Sequence, residues 1–155
     1  MTFRTFTQLD KEEAILRHIA TNLSIQNKNE ADLLFPRFDI AALLLKQAKH
    51  TKHGFAIFSQ TGEPCGIGGI MGGGRIWFVV TEKAPTQICL SWFKQGRKWL
   101  KEMLTSYHRI DGYCWEANKL SQEWMRSLGF DITTKDNVAT LNVNGENFLY
   151  FMKTV

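Results

Sequence analysis

The sequence predicts an α/β domain in which helices pack on a mixed sheet. Three observations carry that expectation. The hydrophobic period changes from helical to strand-like at Gly54, a long helical pattern follows the third candidate strand, and residues 118–130 read as a short amphipathic helix that re-enters a core. In that last stretch Asn118 offers a side-chain oxygen to the first turn, Leu120, Trp124 and Leu128 recur every four residues, and Gly129 supplies a left-handed stop before Phe130.

The chain of 155 residues fits a single domain, 1–155. A domain of that size buries roughly two-thirds of its unfolded surface, enough for a core without disulfides or metal. Taken in order, Asp10 and Glu13 have the spacing of a capping box, and Ile15, Ile19 and Leu23 follow at intervals of four, predicting a helix over 11–24. Residues 27–30 read as a polar link, Phe35-Pro36 interrupts any longer helix, and Asp39 caps a second helix over 40–49. Two helices are thus expected before the first strand.

A meander comes next: a strand over 55–58, turn chemistry over 60–64, a glycine-interrupted strand over 65–71 and a strong strand over 75–80. The six glycines between Gly66 and Gly74 fit neither the dinucleotide fingerprint nor the P-loop, so they read as allowances for a bulge and tight turns. Pro85 opens the longest helical pattern, which runs to about Tyr107 with Trp92, Trp99 and Met103 on one side and Phe93, Leu100 and Leu104 beside them. Gly96 inside it costs about 1 kcal/mol relative to Ala. A strand over 110–115 leads into the helix at 118–130, followed by a strand over 131–134 and a hairpin in which Asn144-Gly145 turns 140–143 back into 148–152.

Composition narrows the function classes. Cys65, Cys89 and Cys114 lie far apart and are odd in number, which argues against a disulfide framework or a zinc knuckle and for a reducing compartment. No apolar leader opens the chain and no stretch approaches the ~20 apolar residues of a membrane span, so a soluble, non-secreted protein is expected. The net charge of +4 permits an acidic partner without requiring one. Lys94, Arg97, Lys98 and Lys101 would form a basic stripe on a helix; such stripes commonly only keep a surface solvated, and DNA contact is the functional alternative. His18, His50, His53 and His108 show no metal-ligand spacing, and no metal site is expected.

The element order, with Asn118-x-x-Ser121 leading to Leu128-Gly129-Phe130, resembles the GNAT acetyltransferase superfamily. That resemblance implies a mostly antiparallel twisted sheet with a parallel pair in its middle and helices on both faces. It also implies a cleft for acetyl-CoA, with backbone groups of Phe78, Val79 and Val80 facing a pantetheine arm beside Asn118 and the small Ser121. Glu82 and Glu116, just past two strands, are the candidate bases for the attacking amine, although a strand end ordinarily carries surface carboxylates. Two parts of the family pattern are absent. The glycine-rich pyrophosphate turn aligns only at Gln87, which sets Leu90 and Trp92 where small residues belong, and the position of the proton-donating Tyr holds Met125. Tyr107 or Tyr113 could replace that donor, without support from spacing.

Residues 76–81, the basic helix and the aromatic final hairpin also resemble the internal virion protein A family of short-tailed bacteriophages. This second resemblance implies a scaffold without catalysis that binds virion proteins (portal, tail or ejection components), needs no cofactor, and resides in the host cytoplasm during assembly or in the virion. The alternative is an active acetyl-CoA-dependent N-acetyltransferase for a small-molecule or protein amine.

Overall fold

The computed structural model describes residues 2–84, 90–132 and 140–155. Strands β1 (Thr2–Phe6), β2 (Thr51–Phe58), β3 (Pro64–Met71) and β4 (Ile76–Val80) form an antiparallel sheet in that order. A second sheet is built on the long β8 (Glu146–Thr154), which pairs with β5 (Arg109–Trp115) and also with the short β6 (Asp131–Ile132) and β7 (Thr140–Val143). The expected parallel pair is reduced to one bridge, Arg75 to Asp111. Above that bridge β4 and β5 are no longer paired, and the two sheets splay.

Helices α1 (Glu13–Thr21), α2 (Ile25–Leu34) and α3 (Ile40–His50) precede β2, while α4 (Leu90–Met103) and α5 (Lys119–Ser127) follow β4 and β5. Strand alternation feeds two hydrophobic layers. Phe55 and Ile57 join Trp92, Trp99, Leu100, Trp124 and Phe130 on the α4 and α5 side; Ala56, Phe58 and Ile67 join Leu16, Ile19 and Leu44 on the α1 and α3 side. Among the described residues no helix is long and apolar enough to cross a membrane.

The helix at 118–130 forms as its sequence predicts. Asn118 Oδ1 accepts from the Ser121 N–H at 3.1 Å, Gly129 adopts φ 90°, and the Phe130 N–H closes back on the Met125 carbonyl at 3.0 Å. Gly96 has a packing reason for its place mid-helix, since a Cβ there would stand 2.9 Å from Leu128 Cδ2. The β3 glycines serve packing too: a Cβ on Gly68 would meet the Trp77 carbonyl oxygen at 2.3 Å.

Three expectations need correction. The Asp10 capping box is not formed; a 3-10 turn at Leu9–Lys11 comes first and α1 starts at Glu13 without a side-chain cap. The first element is a strand, β1, whose Phe3 and Phe6 point to opposite layers and so carry no one-sided alternation. The polar link is a helix, α2, capped by Ser24 and burying Asn27 alone. Asp39 does cap α3, accepting from Ala42 N–H at 3.0 Å. The Asn144-Gly145 turn has φ 52° and 84°, both positive as a two-residue hairpin requires. Pro85, Gln87 and the distal half of the 131–134 strand lie outside the described residues.

Candidate functional site

The splay between β4 and β5 is the natural place for a site, because unpaired strand edges expose backbone donors and acceptors there. Its upper edge on β4 is already taken. The Val80 N–H donates to Asn27 Oδ1 at 3.0 Å, and the Val80 carbonyl accepts from the Ser24 N–H at 2.9 Å. Ser24 Oγ donates to the same Asn27 oxygen at 2.9 Å, Leu23 bridges Thr81, and the Glu82 N–H reaches the Asn22 carbonyl at 2.9 Å. The junction of α1 and α2 therefore lies along the end of β4 like an added strand. Backbone alternation turns Val79 toward β3 and leaves only Phe78, of the three residues expected to face a cofactor, on the open part of the edge.

Below that junction a cavity of about 50 Å³ is lined by Glu30, Ile76, Phe78, Tyr113, Cys114, Ser121 and Met125, and a second of about 20 Å³ lies between Asn27, Phe78, Asn118, Ser121 and Trp124. Phe78, Asn118 and Ser121 thus lie together around these two cavities. Glu82 and Glu116 do not; both side chains are exposed and neither lines these two cavities, while the Glu116 carbonyl is held by buried Gln122 at 2.7 Å.

The carboxylate that does face the splay is Glu30, from α2. Asn118 Nδ2 donates to Glu30 Oε1 at 3.1 Å, so the residue that caps α5 also anchors this acid. Burial pushes the Glu30 carboxyl above its usual range, and hydrogen bonds from Asn118 and the Trp115 backbone offset only part of that rise. Beside it the Cys114 thiol is pushed up to about 12 by burial and by the Glu30 charge, which keeps it protonated and inert as a nucleophile. Sequence reasoning missed Glu30 because its helix has no hydrophobic period; the available signal was Ser24, a good helix cap, before a polar run.

On the α4 side the splay is closed by aromatic rings. Phe78 stacks on Trp92 at 5.5 Å and 17°, and Trp124 meets both rings at 6.1 and 6.2 Å. Trp92 is 1% exposed and its Nε1 has no acceptor among the described residues, whereas Leu90 is 85% exposed and points away. Trp92, not Leu90, fills the space where the family pattern asks for a small residue. Met125 is buried against Glu30 and Ser121 and offers no proton.

Comparison with solved structures fits this architecture. The chain superposes over 99% of its length on smu.2055 from Streptococcus mutans (TM-score 0.66, 12% identity, 99% of that chain). It superposes over 98% on a GNAT-family acetyltransferase from Bacillus anthracis (0.63, 14%, 93%), and over 99% on spermidine N-acetyltransferase from Vibrio cholerae in complex with CoA and spermine (0.59, 15%, 94%). The fold is that of the GNAT acetyltransferases. The sequence matches no protein-family model and no curated protein.

An acetyl-CoA arm does not fit the splay as it is arranged. Ligand pockets run to roughly 300–1,000 Å³, far above these two cavities, and the arm's backbone partner Val80 and the small-residue position at Trp92 are both occupied.

Proposed function

We propose that this chain uses the acetyltransferase fold as a binding scaffold without acetyl transfer, in the manner of a virion or virion-assembly protein of a bacteriophage. One observation carries the reading: Asn27 and Ser24 occupy the Val80 backbone while Trp92 stacks on Phe78, so protein atoms fill both walls of the cleft where a cofactor would lie. Met125 in place of a proton donor points the same way, and the resemblance to internal virion protein A supplies the biological setting. The partners on this reading are virion proteins, with DNA contact through Lys94, Arg97, Lys98 and Lys101, all four exposed along α4. That contact would show as DNA affinity falling steeply with salt.

Glu30 favours a second reading. A desolvated carboxylate anchored at the mouth of the splay is suited to taking a proton from an amine, as an acetyl-CoA-dependent N-acetyltransferase requires. The similarity to acetyltransferase structures supports this alternative as well.

Titration calorimetry with acetyl-CoA separates the two. The scaffold reading expects no binding at high micromolar cofactor. One-to-one binding at micromolar affinity would overturn it, and a fall in acetyl transfer of roughly 10²–10⁴-fold in Glu30→Gln would then establish the enzyme. Recovery of the chain at fixed copy number from mature phage particles would locate the scaffold's role.

A further inference from the structure

On the far end of α4 from the splay lies a groove of about 650 Å³, lined by Arg97, Lys101, Leu104, Leu128, Lys153 and Val155 among others. Its floor is apolar: Leu104 and Leu128 are 8% and 6% exposed. Its rim carries three cations, and among the described residues no Asp or Glu side chain lines it. Gly129 shapes the opening, because a Cβ there would stand 2.5 Å from Lys153 Nζ, which instead lies over the end of α5.

Two of the cations have structural duties. Arg97 Nη1 donates to the Ser127 carbonyl at 2.9 Å and Lys153 Nζ to the Gly129 carbonyl at 3.3 Å, satisfying carbonyls at the C-terminal end of α5. Each keeps further donors, since a guanidinium has five and an ammonium three. Lys101 is different: it is exposed and makes no hydrogen bond or ion pair among the described residues.

We infer that this groove binds a small amphiphilic anion, an aliphatic chain ending in a carboxylate, with the chain on Leu104 and Leu128 and the anion at Lys101. Charge complementarity selects the class. Three positive groups around an apolar floor disfavour a cation or a neutral polar ligand, and the floor distinguishes the groove from the solvated stripe at Lys94 and Lys98, which would suit phosphates alone. A volume of about 650 Å³ falls within the range of small-molecule sites.

The probe is sodium decanoate, kept below its micelle concentration and titrated calorimetrically into the intact chain. Decanoate is expected to bind one-to-one, whereas decyltrimethylammonium, with the same tail and opposite charge, and acetate, with the head alone, are expected not to bind. Lys101→Glu should weaken decanoate at least tenfold with the thermal midpoint unchanged. Thr105→Trp, which fills the lining while keeping every cation, should also abolish binding. Equal binding of both decyl probes, an unaltered affinity in Lys101→Glu, or attachment only to phosphatidylglycerol vesicles and not to free decanoate would each overturn the inference.

Discussion

Asn118→Ala tests the joint that holds the candidate site together. Asn118 is 4% exposed and serves two elements at once, accepting from the Ser121 N–H to start α5 and donating to Glu30 Oε1 to fix α2. Losing the cap costs about 1 kcal/mol. Leaving the half-buried Glu30 carboxylate without its side-chain donor costs about 1–3 kcal/mol more, so about 2–4 kcal/mol is expected in all. For a chain of this length that lowers the melting temperature by roughly 5–15 °C. Urea denaturation of the wild type, Asn118→Ala, Glu30→Ala and the double variant completes a cycle whose coupling should fall at about 0.5–3 kcal/mol. Asn118→Asp adds a control, since it keeps the helix cap but sets a second carboxylate against Glu30 and should be worse at neutral than at acid pH. A loss below about 0.5 kcal/mol in Asn118→Ala, or a coupling within error of zero, would refute the reasoning that one side chain ties α2 to α5.

Three further outcomes follow from the same structure. Because the folded-state pKa of Glu30 lies above its ordinary 4.5, the folded protein holds a proton there that the unfolded chain releases, and wild-type stability is lost as pH rises through the folded value. The stability gained by Glu30→Gln should therefore grow as pH rises above the ordinary 4.5, and a pH-independent difference would contradict the desolvation of this acid. Gly96→Val should destabilise by about 1–3 kcal/mol through overpacking on Leu128, while Gly96→Ala should be near neutral because helix propensity returns about 1 kcal/mol; thermal melts read both. Burial raises the Cys65 thiol to about 11 and the Cys114 thiol to about 12. Both should escape iodoacetamide at about pH 8 in the folded protein and react in urea, and rapid native labelling at either position would show that its burial is wrong.

How much could be read from the sequence depended on whether apolar or polar atoms define an element. Helices α3 and α5 and the closing hairpin announce themselves through caps, period and turn residues, all local chemistry. Strand β1 was not legible, since its two Phe side chains serve opposite layers and the alternation signal cancels. Helix α2 was hidden more thoroughly. It buries only Asn27 and is placed by hydrogen bonds to Val80 and Asn118, contacts 53 and 88 residues apart in sequence. Glu30, the carboxylate that faces the splay, lies on that helix. Reasoning from strand ends reached Glu82 and Glu116, which turned out to be exposed, because nothing local in the sequence reports which distant polar group will cross a splay.

The same polar helix bears on the choice between scaffold and enzyme, and its cost can be put in numbers. An arm entering the splay would have to break the two hydrogen bonds on Val80, each worth a net of about 0.5–1.5 kcal/mol, while the Asn27 oxygen keeps its donor from Ser24 Oγ. It would also separate Trp92 from Phe78, at about 0.5–1.5 kcal/mol. Together these come to about 1.5–4.5 kcal/mol, and each 1.4 kcal/mol is tenfold in affinity. A cofactor with intrinsic micromolar affinity would be weakened roughly tenfold to a thousandfold by these contacts alone. Asn27→Ala removes the hydrogen bond on the Val80 N–H without touching Glu30, Asn118 or Ser121. If acetyl-CoA then binds where it did not before, the α1–α2 junction is what closes the cleft; if binding is still absent, the aromatic wall at Trp92 suffices.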